Sequence, residues 1–232
     1  TAKDADGAYY ADYTGIMSVG WNADKYGDIS SLDDLLDPKF AGTVALNGKP
    51  AEAGAAFNGY LMANQLAGGD INNLQPGLDY FKKLKEAGNL TTVDVTNGTI
   101  DSGQTGVVFD WTYNQASYKK ELKDKGVNWK YKTFPKAQVV SYYNQAINKD
   151  APHPAAARLW EEYLYTADAQ NLWFKGGANP VLLDSMKEDG TVDQATLKDA
   201  ITIEGEPVSY TNDDSTRITE WLQNNWDKTI GN

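Results

Sequence analysis

A carboxylate and an indole stand side by side at Asp110 and Trp111, between an apolar run that ends at Phe109 and a helical pattern that begins at Thr112. This pair suits an organic ammonium group, because the positive charge can pair with the carboxylate while the cation lies over the face of the indole. Tyr113 belongs to the same segment and to the same candidate site. The alternative is that Asp110 caps the following helix and Trp111 packs in the core.

A second candidate site consists of Tyr142, Tyr143 and Asn144, which lie in an extended apolar segment. Successive side chains of a strand point to opposite faces, so we expect only one of the two tyrosines to face a ligand. That alternation disfavours Fe³⁺, which would need both phenolates on one metal. Asn144 can add an amide contact, and the alternative is that both tyrosines serve packing.

Signals for catalysis are poor. His153 is the only histidine and the chain has no cysteine, which excludes a catalytic triad, a histidine metal cluster and a thiolate site within this sequence. There is no glycine-rich phosphate loop, nucleophile elbow or HExxH motif. Asp101, Ser102 and Gly103 match an aspartic-protease triplet once, beside turn-forming residues. We therefore expect no enzyme activity, no cofactor and no resident metal.

The composition limits the possible partners. The formal net charge is −11, from 21 Lys and Arg against 32 Asp and Glu, which argues against nucleic acid and mildly favours a cationic ligand. Because no run approaches the ~20 apolar residues of a membrane-spanning helix, we expect a soluble chain. The 7 Trp, 14 Tyr and 6 Phe could also form flat stacking platforms. They leave open another class of function, a carbohydrate-binding module or an enzyme that uses such platforms.

Hydrophobic periodicity and turn residues predict an α/β chain. Strands are predicted at residues 9–20, 43–46, 93–95, 106–110, 129–131 and 139–147, with a turn at Asn97-Gly98. Helices are predicted at residues 31–36, 53–67, 76–87, 112–125, 168–175, 180–186, 193–200 and 214–230. Another helix starts at Pro154, with one face made of Leu159, Trp160, Tyr163 and Leu164. Strands that alternate with helices indicate a sheet covered on both faces.

Two segments carry a resemblance to a known family. The stretch YYNQAINKDAPHPAAARLWEEYLYTADAQNLWFKGGANPVL, residues 142–182, contains an NKDAPHP turn and, farther on, a helix near Gln170. The stretch YTGIMSVGWNADKYGDISSLDDLLDPKFAGTVAL, residues 13–46, contains a strand followed by a linker of the type W-ADLLDPKFKGKV. In the same order, both resemble the two hinge crossings of type 2 periplasmic solute-binding proteins of ABC importers, in the iron, polyamine and phosphonate branch.

The resemblance implies a type 2 periplasmic-binding-protein fold, with one complete α/β lobe and the helical C-terminal part of the other lobe. Residues 1–22 would form the outgoing hinge strand and a remnant of lobe 1, and residues 23–140 would form lobe 2. Residues 141–232 would form the return hinge and the helical C-terminal part of lobe 1. The family has a βαβ-rich segment before the outgoing hinge, so we expect this chain to lack the N-terminal part of lobe 1.

The resemblance also implies a ligand site in a cleft between the lobes, which closes by a hinge motion. The loop of residues 47–54 corresponds to the place where phosphonate and sulfate binders hold an anion with backbone amides. Glu52 in that loop would repel a phosphonate and could contact an amine instead. Tyr13 and Trp21, near the outgoing hinge, are further candidates for the cleft wall, with packing as the alternative for both.

These observations favour an extracytoplasmic solute-binding protein that delivers a small organic cation, such as a polyamine, to the permease of an ABC transporter. Fe³⁺ and an aminophosphonate are the alternatives within the family, whose iron binders carry paired tyrosines where this chain has Asp110 and Trp111. The location would be the periplasm, or the outer face of the cell membrane with a lipid anchor. Expected partners are the small ligand, the permease, and either a missing N-terminal lobe segment or a second copy of the chain.

Overall fold

The computed structural model describes residues 4–203 and 206–231, which form a mixed α/β fold. The strands in these ranges are β1 (Tyr10–Asn22), β2 (Val44–Leu46), β3 (Val107–Trp111), β4 (Trp129–Lys132), β5 (Val140–Gln145) and β6 (Asn179–Pro180). The α-helices are α1 (Ala23–Tyr26), α2 (Gly54–Leu66), α3 (Gln75–Glu86), α4 (Asn97–Asp101), α5 (Thr112–Lys123), α6 (Pro154–Leu164), α7 (Ala167–Lys175), α8 (Leu183–Glu188), α9 (Gln194–Asp199) and α10 (Asn212–Thr229). Short 3₁₀ helices lie at Leu32–Leu36, Pro38–Phe40 and Pro135–Ala137. None of the described helices has both the length and the apolar character needed to cross a bilayer.

The chain divides into two compact units. Unit 1 contains the described residues of Thr1–Ile16 and Val140–Ile203, and unit 2 contains those of Met17–Val139 and Glu204–Asn232. The first division, between Ile16 and Met17, falls inside β1. The boundary expected from the sequence lies at residue 22, where β1 ends. The second division, before Val140, lies beside the predicted boundary at residue 140.

The sheet of unit 2 has the strand order β2-β3-β1-β4. Strands β2 and β3 are parallel, with Leu46 opposite Phe109, and the remaining pairs are antiparallel. Helix α2 packs on this sheet, and its residues 56–64 are all buried. A Cβ at Gly59 would lie 2.9 Å from Leu46 Cδ2 and 3.3 Å from Phe109 Cβ. The helix can therefore approach the sheet closely only because residue 59 has no side chain.

The last helix packs in unit 2, which differs from the sequence-based assignment of residues 141–232 to one lobe. Helix α10 buries Ile218, Leu222 and Trp226 along one stripe. The ring centroid of Trp226 lies 6.1 Å from that of Tyr60 on α2 and 5.2 Å from that of Phe81 on α3. These aromatic contacts hold the helix against α2 and α3, because each buried ring removes a large apolar area from water.

In unit 1, the first part of β1 pairs antiparallel with both β5 and β6. A small core lies beyond these strands, where Phe174 of α7 packs with Leu183, Met186 and Val192. Helix α6 starts at Pro154, as predicted. The face predicted for this helix is apolar but mostly exposed: Leu164 is buried, whereas Leu159, Trp160 and Tyr163 are 70%, 60% and 42% exposed.

One predicted strand is wrong. Residues 93–95 have no regular secondary structure, and Asn97-Gly98 begins α4 instead of forming a turn. The hydroxyl of Thr96 accepts a hydrogen bond from the backbone N–H of Thr99 at 3.1 Å, which caps the first turn of that helix. In addition, β3 finds its partners in β2 and β1, so a hairpin between residues 93–95 and β3 does not form.

Candidate functional site

Three aromatic rings form a continuous stack in unit 1. The ring of Tyr13 on β1 lies between the rings of Tyr143 on β5 and Trp173 on α7. Its centroid is 4.8 Å from that of Tyr143, with an interplanar angle of 9°, and 4.4 Å from that of Trp173, with an angle of 25°. We call these three residues the aromatic stack. Tyr143 is 41% exposed, so part of its side chain is accessible to solvent.

Strand pairing and helix packing place these rings together. Tyr13 and Tyr143 are directly opposite in the antiparallel pair of β1 and β5, where cross-strand side chains meet. Trp173 comes from α7, whose first turn is capped by the Thr166 hydroxyl and whose Phe174 is buried in the core of unit 1. The sequence proposed Tyr13 and Tyr143 as candidates separately, and the structure brings them into contact.

Asp12 lies next to the aromatic stack, in a β-bulge. Ala11 is opposite Asn144 and Tyr13 is opposite Tyr143, so Asp12 is the extra residue in β1. The Asp12 side chain is fully buried, and its carboxylate accepts hydrogen bonds from Gln145 Nε2 at 3.0 Å and Gln170 Nε2 at 3.3 Å.

Burial raises the pKa of Asp12 above its ordinary value, and contacts with Gln145, Trp173 and Gln170 oppose that rise. The same region affects two phenols. Burial, followed by the influence of Tyr143 and Asp12, raises the pKa of Tyr13. Burial, followed by the charge of Asp12, raises the pKa of Tyr165 to about 12. Both tyrosines are therefore neutral hydrogen-bond donors at neutral pH.

Asp110 of unit 2 is the centre of a second polar cluster. Its side chain is fully buried, and Oδ2 accepts hydrogen bonds from Asn47 Nδ2 at 2.8 Å and from the Tyr118 hydroxyl at 2.9 Å. Oδ1 accepts from the backbone N–H of Trp111 at 2.7 Å and from Asn114 Nδ2 at 2.9 Å. Burial raises the pKa of Asp110, and these four donors oppose the rise. We call Asn47, Asp110, Asn114 and Tyr118 the Asp110 cluster.

The surroundings of Asp110 and Trp111 correspond to the packing role that the sequence left open as the alternative. The Asp110 carboxylate already accepts four hydrogen bonds within the protein. Trp111 is only 4% exposed and belongs to the core, with its ring stacked on Tyr113 at 6.3 Å. Neither side chain presents an open surface to a solute in this structure.

The remaining predicted site residues are dispersed. Glu52 is exposed and forms a 3.9 Å ion pair with Lys49. Trp21 is 4% exposed, and its Nε1 donates to the carbonyl oxygen of Gly27 at 2.7 Å, which is a packing role. Tyr142 and Asn144 are exposed on β5, on either side of Tyr143 in sequence. By strand alternation they lie on the opposite face from Tyr143.

Two helices of unit 2 begin at the carboxyl ends of parallel strands. Helix α2 begins after the loop that follows β2, and α5 begins directly after β3. Neither helix has a side-chain cap at its N-terminus. Backbone amides in the first turn of a helix can bind an anionic group. At α5 the Asp110 carboxylate already accepts from the N–H of Trp111, the residue before the helix. Within the described ranges, no cluster of three or more His, Asp or Glu side chains is arranged to hold a metal ion.

Sequence reasoning missed Asp12, Gln145, Gln170 and Trp173 as neighbours of one site. One signal was present: Asp12 is an acidic residue inside an apolar and aromatic strand, and such a residue needs a specific partner when it is buried. Gln170 stood out only as a landmark of the family match, with no role attached. Nothing local to Trp173 indicated a contact with Tyr13, because their meeting depends on tertiary packing.

Comparison with known proteins decides the family. A family model described as bacterial extracellular solute-binding protein matches residues 1–200. The chain belongs to this family. Its members are transport proteins that bind small solutes, so the predicted class of function is confirmed. No curated protein sequence matches this chain.

Solved structures show the same fold. The periplasmic binding protein AfuA from Actinobacillus pleuropneumoniae, with fructose-6-phosphate bound, has a TM-score of 0.69 and 19% identity, over 99% of this chain and 70% of that one. AgtB from A. tumefaciens R10, in complex with agropinic acid, has a TM-score of 0.70 and 16% identity, over 97% and 70%. The spermidine/putrescine substrate-binding protein PotD from Streptococcus pneumoniae has a TM-score of 0.66 and 13% identity, over 98% and 71%. The predicted type 2 periplasmic-binding-protein fold is confirmed.

Proposed function

We propose that this solute-binding protein carries an organic cation of the polyamine type to the permease of an ABC importer. The observation that supports this ligand class is the aromatic stack with the Asp12 carboxylate beside it. The face of an aromatic ring is electron-rich and attracts an ammonium group, by about 0.5–2 kcal/mol depending on desolvation. A nearby carboxylate and a net charge of −11 add to that attraction.

In this proposal Tyr143 provides the contact surface, and Tyr13 and Trp173 support it from behind. Tyr142 lies on the opposite face of β5 and does not take part. Asp110 and Trp111 act indirectly, since their buried contacts organise the ends of β2 and β3. Glu52 is exposed and follows β2, and it stays a separate proposal for an amine contact within unit 2.

An aminophosphonate is the second candidate. The N-terminus of α2 favours it, because this helix has no side-chain cap and first-turn amides can bind an anionic group. Fe³⁺ held by tyrosines is a weaker alternative, since Tyr142 and Tyr143 are consecutive residues of β5. The same fold occurs in AfuA, which has fructose-6-phosphate bound, and in PotD, which is named a spermidine/putrescine substrate-binding protein.

We further propose that the chain works outside the cytoplasm, in a periplasm or attached to the outer face of the membrane by a lipid, and that it binds its ligand without chemical turnover. The permease is the proposed partner for delivery. The exposed apolar face of α6 supports one more partner, either a lobe-forming segment or a second copy of the chain, because large apolar patches on soluble proteins are usually contact surfaces.

Calorimetric titration with putrescine, spermidine, 2-aminoethylphosphonate and Fe³⁺ tests the ligand class. We expect heat with the two amines, and we expect Tyr143→Ala to weaken binding about tenfold, the loss of one cation–π contact. Tyr142→Ala is the matched control, since it removes a neighbouring ring of equal exposure, 41% for each, and should leave affinity unchanged. Binding of Fe³⁺ alone, lost in both variants, would overturn the amine proposal.

A further inference from the structure

The bulge gives Asp12 contacts that a regular strand position does not have. As the extra residue of β1, it has no direct partner on β5. Its backbone carbonyl oxygen accepts a hydrogen bond from the N–H of Val181, just after β6, at 3.2 Å. Its carboxylate turns toward Gln145 at the end of β5 and toward Gln170 on α7. One residue thus joins β5, β6 and α7 around β1.

The outer rings of the aromatic stack come from two of these elements. Tyr143 lies two residues before Gln145 on β5, and Trp173 lies three residues after Gln170 on α7. The Trp173 Nε1 is buried and forms no well-aligned hydrogen bond. It still lowers the pKa of Asp12, so it lies close to that carboxylate. The separation of the outer rings therefore depends on the elements that Asp12 connects.

Gln170 makes this connection rigid. Its Nε2 also donates to the carbonyl oxygen of Leu164 at 2.7 Å, and its Oε1 accepts from the N–H of Leu182 at 3.3 Å. Gln170 is fully buried, so breaking these bonds would leave polar atoms without partners. Because the glutamine is itself fixed, its contact with Asp12 positions α7 relative to the bulge.

We propose that Asp12 is the positioning residue of the aromatic stack: its carboxylate fixes α7, and Trp173 with it, at the stacking distance from Tyr13. Asp12 acts through these groups and is too deeply buried to touch a solute itself. The consequence for ligand affinity rests on the proposed function, whereas the consequence for the stack does not.

The test compares Asp12→Asn with Asp168→Asn, which removes an exposed carboxylate from the first turn of α7. The main measurement is near-ultraviolet circular dichroism of the folded proteins, which reports rigid aromatic packing. Far-ultraviolet spectra serve as the check on folding. We expect Asp12→Asn to lower the near-ultraviolet signal and to weaken putrescine binding about tenfold, as for the loss of a charged hydrogen bond. Asp168→Asn should match the wild type in both.

A double-mutant cycle identifies the route. Trp173→Phe keeps a stacking ring and removes the indole N–H, so Asp12→Asn should still lower the near-ultraviolet signal in that background if Asp12 acts through Gln170 and α7. Gln145→Ala, at a partly exposed position, gives the same readout with a milder change if Asp12→Asn does not fold. We expect a smaller loss of near-ultraviolet signal in that variant.

The outcomes separate the two proposals. Near-ultraviolet spectra of Asp12→Asn and Gln145→Ala that both match the wild type would overturn the positioning role, whatever the affinity. Changed spectra in a protein that binds neither putrescine nor spermidine would support the positioning role and refute the ligand class. Changed spectra together with tenfold weaker putrescine binding would support both.

Discussion

Asn47 Nδ2 donates a hydrogen bond to Asp110 Oδ2 at 2.8 Å, which connects the residue after β2 to the end of β3 inside unit 2. The Tyr118 hydroxyl donates to the same oxygen from α5. The carboxylate that the sequence offers as a ligand contact thus joins two strand ends and a helix. Four donors of the protein bond to this one buried carboxylate. Its removal should therefore lower the free energy of unfolding.

We expect Asp110→Ala to lower the free energy of unfolding by about 3 kcal/mol, because the amides of Asn47 and Asn114 and the hydroxyl of Tyr118 would lose a buried acceptor. Urea denaturation followed by circular dichroism measures this change. Asp124→Asn, an exposed aspartate just after α5, is the control and should stay within about 0.5 kcal/mol of the wild type. Equal stabilities of Asp110→Ala and the control would contradict the structural role.

The two buried carboxylates should give stability an unusual pH dependence. Asp12 and Asp110 have pKa values raised above 3.8, so the folded state binds more protons than the unfolded state between pH 3.8 and the raised value. The free energy of unfolding that these groups contribute must therefore fall as pH rises through that window. A pH series of urea denaturations should show Asp110→Asn losing less stability than the wild type over the same rise.

Two partly exposed carboxylates act in the opposite direction. Hydrogen bonds from Thr196 and Lys175 hold the pKa of Asp193 at about 2, and those from Thr211 and Arg217 do the same for Asp214. Their contribution is present above pH 3.8 and is lost as pH falls toward 2. Because Asp110→Asn keeps these groups, the difference between variant and wild type isolates the buried carboxylate. A difference that does not change with pH would refute the prediction.

Gly20 allows a close contact that a methyl group would prevent. A Cβ at this position of β1 would lie 2.6 Å from Gln115 Cδ and 2.8 Å from Trp129 Nε1. These two side chains share a buried hydrogen bond of 2.8 Å. We expect Gly20→Ala to lower the free energy of unfolding by about 1–3 kcal/mol through overpacking and displacement of that bond.

Gly54→Ala is the matched control for this substitution. Gly54 is the first residue of α2, and a Cβ there would have no neighbour within 4 Å. Alanine favours the helix over glycine, so thermal and urea denaturation should show unchanged or slightly higher stability, by up to about 1 kcal/mol. If both variants were equally destabilised, close packing at Gly20 would not be the cause.

The apolar face of α6 should cause copies of the unmodified chain to associate. Leu159 and Trp160 are 70% and 60% exposed on adjacent positions of the helix. We expect the double change Leu159→Lys and Trp160→Lys to lower the apparent mass at high concentration in size-exclusion chromatography with light scattering. Val93→Lys, at a 39% exposed apolar residue of unit 2, is the control and should not change it.

Local patterns in the sequence predicted most elements. The spacing of Phe57, Tyr60 and Leu61 predicted α2 within one residue at each end, because helix period and the Gly68-Gly69 stop are local signals. The alternation across Tyr142 and Tyr143 predicts that only one of the two rings faces a ligand, and the structure stacks Tyr143 on Tyr13. Such features depend on neighbours in the chain.

Features that depend on distant partners could not be predicted. The bulge at Asp12 is a property of the pairing between β1 and β5, which are far apart in sequence. Likewise, the stripe of Ile218, Leu222 and Trp226 indicates that one face of α10 is buried, but says nothing about which helices cover it. The acceptor role of Asp110 required Asn47 and Tyr118 to be placed around it by the fold.

The bulge has one more consequence, which concerns the length of β1. In a regular strand, residues two apart share a face, but Ala11 and Tyr13 pair with consecutive residues of β5 and so face opposite ways. A strand of this sequence without the extra residue would keep Tyr13 opposite Tyr143 and would hold no carboxylate at the bend. One extra residue thus adds a carboxyl group to the sheet without changing the register of the rings, so the length of β1 sets which polar group lies beside the aromatic stack.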